Sequence, residues 1–245
     1  MTTTCSISAL TSRLDDCSSR LNDVIVKKNI SSSSSSSNND SSSSSSSSSI
    51  SGVLNSEEVI RVKASLLKKC CYVYRFYHVP SNYYNLTLLQ RRDLLGANDL
   101  NQLCKSIIFE NTACSHNNVN DPTDSRFYAV IVQYASRFDA ELLRDVIHVL
   151  RPPSNRINRS KLHFKLASEE DSYRISGFKH NAISPYGLLI DIPFVICSRI
   201  LETAPDVFYM GGGKVDVKLA MPTKDFIRSK NPIIGRISKI EEDDS

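Results

Sequence analysis

The sequence predicts an α+β domain in which helices flank a mixed β-sheet, and three observations carry that prediction. Stretches with helical spacing of apolar residues mix with short aromatic and β-branched runs, without the strict strand–helix–strand repeat of a parallel sheet. Residues 31–49 are serine apart from Asn38, Asn39 and Asp40, a tract with nothing to bury, so 31–50 reads as a disordered linker. The chain is 40% hydrophobic, enough to furnish one core over residues 55–240.

Ahead of the linker, Ile7, Leu10, Leu14, Cys17, Leu21 and Val24 recur at alternating steps of three and four, which predicts an amphipathic helical extension within 1–30. Its seam, within residues 5–28, can pair with a copy of itself, dock on a partner or fold back on the main domain. Asn55 with Glu58 predicts a capped helix whose apolar face is Ile60, Ala64, Leu67 and Cys71. "VYRFYHV" predicts a strand stopped by Pro80, "LTLLQRRDLLG" a helix closed by Gly96, and "CKSIIFE" a strand over Cys104–Glu110. A polar loop over 111–126 follows. "FYAVIVQY" is almost continuously apolar, which predicts a central strand buried on both faces. Ala140–Leu150 reads as a helix stopped by Pro152 and Pro153, and Ser168 opens a short helix that Gly177 ends. "LLIDI", "DVFYM" and "KVDVKL" predict strands, "KDFIRS" a helix and "PIIGRIS" a closing strand.

The formal charge is +4 although Glu241, Glu242, Asp243 and Asp244 make residues 241–245 an acidic tail, so the excess ahead of the tail is basic and suits a polyanionic partner. No apolar run reaches the ~18 residues of a membrane span, and the N-terminus lacks the pattern of a secretory leader, which predicts a soluble cytoplasmic protein with no membrane partner. Without a leader, the Asn-x-Ser/Thr triplets at Asn29, Asn85 and Asn158 are chance matches. Seven cysteines without a paired spacing predict reduced thiols, and Cys114 with His116 has no second pair at zinc-ligand spacing, so no metal is expected.

No nucleophile elbow, P-loop or zinc-protease motif occurs, so the candidate chemistry lies in glycine-rich stretches. The chain has 8 glycines, and two sit in "SGFKHNAISPYGLLIDIP" while three form Gly211, Gly212 and Gly213. The triplet reads as a β-turn or bulge between strands, or as a cradle of backbone N–H groups for a carbonyl or phosphate. Lys105 opens an apolar strand, either as an edge lysine or as a fixed cation for a phosphate or developing oxyanion. Arg151, Arg156, Arg159, Lys161 and Lys165 form a basic region suited to RNA phosphates, or simply a solvated loop.

"LCKSIIF", "SGFKHNAISPYG" and "DVFYMGGGKVDVKL" together resemble, in order and spacing, the YbaK/prolyl-tRNA synthetase-associated domain family over about residues 70–235, and more nearly a eukaryotic branch of it. The resemblance implies a single YbaK-like domain with a partly closed sheet. It also implies hydrolysis of the ester on mischarged tRNA, with no cofactor. The partners it implies are the aminoacylated 3′ end of tRNA and an aminoacyl-tRNA synthetase. It further implies catalytic positions at Lys105, Ala182 and Gly211, and substrate contacts at Gly177, His180, Asn181, Ser184, Pro185, Gly187, Gly212, Gly213 and Asp216. Asn181 and Ala182 replace the paired glycines of bacterial members, and Gly211 a small polar residue. Two other functions compete with this one: a tRNA acceptor-end binding domain without hydrolysis, and an interaction protein acting through its N-terminal heptads.

Overall fold

The structure, a computed structural model, describes residues 53–240; the predicted N-terminal helix, the serine tract with Asn29, and the acidic tail lie outside the described residues. Five helices and ten strands are described: α1 Glu57–Lys68, β1 Arg75–His78, α2 Leu88–Leu95, β2 Cys104–Asn111, β3 Phe127–Gln133, β4 Ser136–Phe138, α3 Ala140–His148, β5 Phe164–Leu166, α4 Glu169–Ser176, β6 Phe194–Cys197, β7 Phe208–Gly211, β8 Val217–Met221, α5 Thr223–Lys230, β9 Ile233–Gly235 and β10 Ser238–Ile240.

A five-stranded sheet in the order β5-β2-β3-β6-β9 forms the centre, antiparallel on the β5-β2-β3 side and parallel from β3 to β9. Every residue of β3 is buried, as its continuous apolar run predicts. A second, antiparallel sheet has the order β1-β8-β7, and the bridge Leu103↔Tyr209 joins it to the start of β2, so the two sheets close partly on one another. Phe226 of α5 packs edge-on against Tyr186, Phe194 and Phe208 and anchors the helix between them.

Local signals hold where one residue decides the outcome. Thr87 and Gln90 form a capping box on α2, which ends with Gly96 in the left-handed region at φ 65°. Ser168 caps α4 through the Asp171 N–H, and Gly177 ends it at φ 67°.

Four expectations change. Helix α1 starts at an N-cap Ser56 with no side-chain cap, and Glu57 and Glu58 in the first turn favour its positive end instead of a capping box from Asn55. It buries Val59, Val62 and Leu66, whereas Ile60 and Leu67 are exposed, because the helix carries two apolar stripes and the tertiary contacts choose the other one. "LLIDI" forms no strand: the N–H groups of Leu189 and Ile190 both donate to the Ile175 carbonyl, which binds the segment to the end of α4. The strand begins beyond Pro193, as β6. "PIIGRIS" divides into β9 and β10, which belong to different sheets. The short strands β4 and β5 were not anticipated. Among the described residues no helix is long and apolar enough to cross a membrane.

Candidate functional site

A cleft of about 530 Å³ opens where the two sheets meet. Strand β2 supplies Lys105 to one wall, β7 and β8 supply Gly211 and Lys218 to another, and Tyr83, Tyr84 and Tyr134 line it beside the loop carrying His180 and Asn181. Of the residues predicted from sequence, Lys105, His180, Asn181 and Gly211 therefore share one cavity. Lys105 sits in register opposite Val132, with Nζ 5.7 Å from the Tyr134 ring centre. It is a cation on an aromatic wall, on a stretch of β2 that pairs with β3 and lies beyond the residues, Phe109–Asn111, that pair with β5.

Both ends of the loop from Gly177 to Gly187 are held by a residue that no motif singles out. Arg61 of α1 donates from Nε to the Gly187 carbonyl at 2.7 Å and from Nη2 to the Gly177 carbonyl at 2.8 Å, and its guanidinium lies 4.5 Å from the centre of the Phe178 ring. A Cβ at Gly177 would come within 2.7 Å of Arg61 Nη2, and one at Gly187 within 3.1 Å of the Arg61 backbone. Both glycines also have positive φ. These two glycines serve the seating of the loop on α1, and neither lines the cleft. Ser184 and Pro185 are buried inside the same loop, with the Ser184 hydroxyl accepting from the Tyr186 N–H.

Ala182 is buried and its side chain does not line the cleft; its carbonyl accepts the Gly213 N–H at 3.1 Å. The Gly212 N–H donates to the Val217 carbonyl at 3.0 Å. Two of the N–H groups expected to cradle a ligand are thus already used inside the protein, because the triplet is both the β7–β8 turn and the seat of the 182–183 backbone. Gly211 alone of the three lines the cleft, and a Cβ there would stand 2.2 Å from the Ile183 carbonyl oxygen. Asp216 lies in the turn before β8, with its carboxylate 3.6 Å from His78 Nε2, and does not line the cleft.

None of the five residues of the basic region lines the cavity. Arg151 pairs with Asp121 at 2.8 Å, Arg159 pairs with Asp145, and Arg156 donates to the Arg151 carbonyl. Lys161 and Lys165 are exposed. Cys114 and His116 gain a neighbour in Asp124, the three offering ligand atoms within 4.8 Å of one another. The Asn118 N–H donates to His116 Nδ1, which leaves Nε2 to carry the ring proton toward Asp124 at 3.3 Å. That arrangement ties the 111–126 loop together by hydrogen bonds.

The residue most conspicuous in the cleft is Lys218. It is 5% exposed, flanked by the rings of Tyr83 and Tyr84 at 4.7 and 4.5 Å, and donates to the Tyr84 hydroxyl at 2.8 Å and the Val215 carbonyl at 3.1 Å. The Tyr84 hydroxyl in turn donates to the Asn181 carbonyl at 2.6 Å. Burial, reinforced by the Arg91 guanidinium, brings the Lys218 amine down to about 7, with Asp216 acting weakly in the other direction. Burial likewise pushes the phenols of Tyr83, Tyr84 and Tyr134 up, so all three stay neutral hydrogen-bonding groups at physiological pH.

Two partly closed sheets flanked by helices, with a cleft at their junction, define a YbaK-like α+β domain. Neither a family model nor a curated protein matches the chain. Among solved structures it is similar to a proposed trans-editing enzyme for prolyl-tRNA synthetase, at 15% identity and a TM-score of 0.59 over 75% of this chain and 98% of that one. It is also similar to a scaffold protein from computational epitope backbone grafting, at 13% identity and a TM-score of 0.57 over 75% and 98% of the two chains. A hypothetical protein gives 15% identity and a TM-score of 0.55 over 73% and 99%.

Proposed function

We propose that the protein is a trans-editing aminoacyl-tRNA deacylase, which hydrolyses the ester of mischarged tRNA in the cytoplasm alongside a synthetase. The observation that supports this reading is the meeting of Lys105, His180, Asn181 and Gly211, drawn from three separate stretches of sequence, in one cleft of about 530 Å³. An aminoacyl ester is already reactive, so orienting it and stabilising charge on its carbonyl oxygen can supply the rate without a nucleophilic triad. In this reading Lys105 holds the terminal phosphate or the developing oxyanion, the tyrosine wall stacks on the terminal base, and water attacks the ester carbonyl, releasing the amino acid as the ribose oxygen leaves and takes up a proton. Lys161 and Lys165, which are exposed, contact tRNA phosphates outside the cleft.

A second reading, binding of the acceptor end without hydrolysis, draws support from the Gly212 and Gly213 N–H groups, since donors engaged by Val217 and Ala182 cannot stabilise an oxyanion. A deacylation assay over a panel of mischarged tRNAs separates the two. Release of amino acid from at least one member, at a rate proportional to enzyme, supports the deacylase. Binding of the panel with no release supports the second reading.

A further inference from the structure

Lys218 presents an imbalance of charge and of hydrogen bonds. An ammonium group has three N–H donors, and the protein offers Lys218 two acceptors, the Tyr84 hydroxyl and the Val215 carbonyl. The neutral amine is satisfied by those two; the charged form leaves one donor over. No group in contact with it supplies a counter-charge. Arg91 of α2, whose guanidinium is 5.4 Å from the Tyr84 ring centre, is a like charge, and Tyr83, Tyr84 and Tyr134 are neutral phenols. Asp216 is the nearby anion, and its carboxylate faces His78. Among the described residues Lys218 makes no ion pair within 4.0 Å, although it is buried. The two ring faces offset part of the desolvation but carry no formal charge. Yet the side chain lies on the wall of an open cleft, where a ligand can bring what the protein lacks.

We infer that Lys218, steadied by Tyr84, is an anion-recognition subsite of the cleft, whose ligand supplies a carboxylate or phosphate oxygen as third acceptor and counter-charge. Under the deacylase reading, on which only the source of the anion rests, that oxygen belongs either to an acidic aminoacyl side chain or to the terminal phosphodiester. Binding then carries a proton to the amine, since the occupied site favours the ammonium form that the empty site disfavours.

The test is direct binding to the full chain, with no hydrolysis required. Adenosine 5′-monophosphate and inorganic phosphate probe the phosphate source, succinate the carboxylate source, and adenosine serves as the uncharged control. With ¹³C-labelled lysine, the Lys218 ¹³Cε resonance should titrate near pH 7 in the free protein, and its midpoint should rise by at least about one unit when the matching anion binds. Lys218→Met should weaken that anion by about 10-fold or more and leave adenosine unchanged, in a protein whose melting shows it folded. A response to phosphates assigns the subsite to the tRNA end, and a response to succinate assigns it to the acyl group. If no anion moves the Lys218 midpoint, or if Lys218→Met binds them all as tightly as the parent, the inference is overturned. A chain that binds anions through Lys218 but deacylates no tRNA would retire the deacylase and keep the subsite.

Discussion

Arg61 Nε lies 2.7 Å from the Gly187 carbonyl oxygen, joining helix α1 to a loop 126 residues further along the chain. The other arm of the same guanidinium holds Gly177, so a single side chain fixes both ends of the loop that brings His180 and Asn181 to the cleft. Arg61→Ala removes charge-assisted bonds to these carbonyls, and the domain should lose about 3 kcal/mol of unfolding free energy in urea. Arg61→Lys should recover little of it, since one ammonium cannot reproduce a two-armed contact. Hydrogen exchange of the 177–187 amides should accelerate in both variants, and unchanged exchange there would show that the loop is held by its packing alone.

Gly211 tests the close approach of the loop to β7. A side chain at Gly211 meets protein before any ligand, because a Cβ would stand 2.2 Å from the Ile183 carbonyl oxygen. Gly211→Ala should therefore cost about 3 kcal/mol, as overpacking against backbone does. Gly96→Ala, at φ +65° with nothing within 4 Å, should cost about 1 kcal/mol from its backbone conformation. Equal melting temperatures for the two variants would contradict this ordering.

Lys105 is the position at which function and stability should separate. Its side chain forms no ion pair within 4.0 Å among the described residues and is half-buried against Tyr134. Lys105→Ala should leave the melting temperature within a degree or two of the parent and lower deacylation by about 100-fold, the scale of removing one group that stabilises developing charge. Full turnover in the variant would remove Lys105 from the chemistry.

The pH dependence of stability follows from Lys218. Its folded value of about 7 lies below the 10.5 of a free lysine, so between those limits the unfolded chain binds more protons than the folded one. Stability therefore rises with pH through this window, and the cost of burying the charged amine is greatest below pH 7. Lys218→Met should flatten the rise between pH 7 and 9.5 by about 1 kcal/mol or more and be most stabilising near pH 6. Lys230, brought down to about 8 mainly by burial, adds a slope of the same sign that the variant retains. Parallel curves for parent and variant would mean that Lys218 is not desolvated in the folded state.

The exposed lysines Lys161 and Lys165 offer a test of the RNA reading. Lys161→Glu together with Lys165→Glu should weaken tRNA binding several-fold and lower the slope of log affinity against log salt by about 2. Reversal at Arg159 tests this less cleanly, because that guanidinium already pairs with Asp145. Unaltered affinity and slope in the double variant would make 151–165 a solvated surface.

Elements set by one or two residues were legible in the sequence. Gly96 closes α2, Ser168 and Gly177 bound α4, and the unbroken apolar run of β3 marked the centre of the sheet. What escaped depends on neighbours far along the chain. Helix α1 carries two apolar stripes, and only its partners decide that Val62 is buried while Leu67 is exposed. Lys218 lies inside "VKLAM", whose five residues are all buried, but its burial needs Tyr83 and Tyr84, more than 130 residues earlier, to enclose the amine. Of the positions the resemblance implies, Lys105, His180, Asn181 and Gly211 share one cavity. The resemblance did not foresee that the Gly213 N–H would be engaged by Ala182 and the Gly212 N–H by Val217.

The parallel half of the central sheet also imposes an order of events on the nascent chain. Ile131 of β3 pairs with Ile196 of β6, and Ile196 pairs with Ile234 of β9, so each partner emerges long after the strand it must cover. Until Ile233–Gly235 has been synthesised, β6 can stand as an open edge of four apolar residues destined for burial, the kind of surface that recruits other chains. Premature termination between β6 and β9 should therefore yield aggregates rather than a loosened monomer, and helices α1 to α4, complete by then, cannot protect against it.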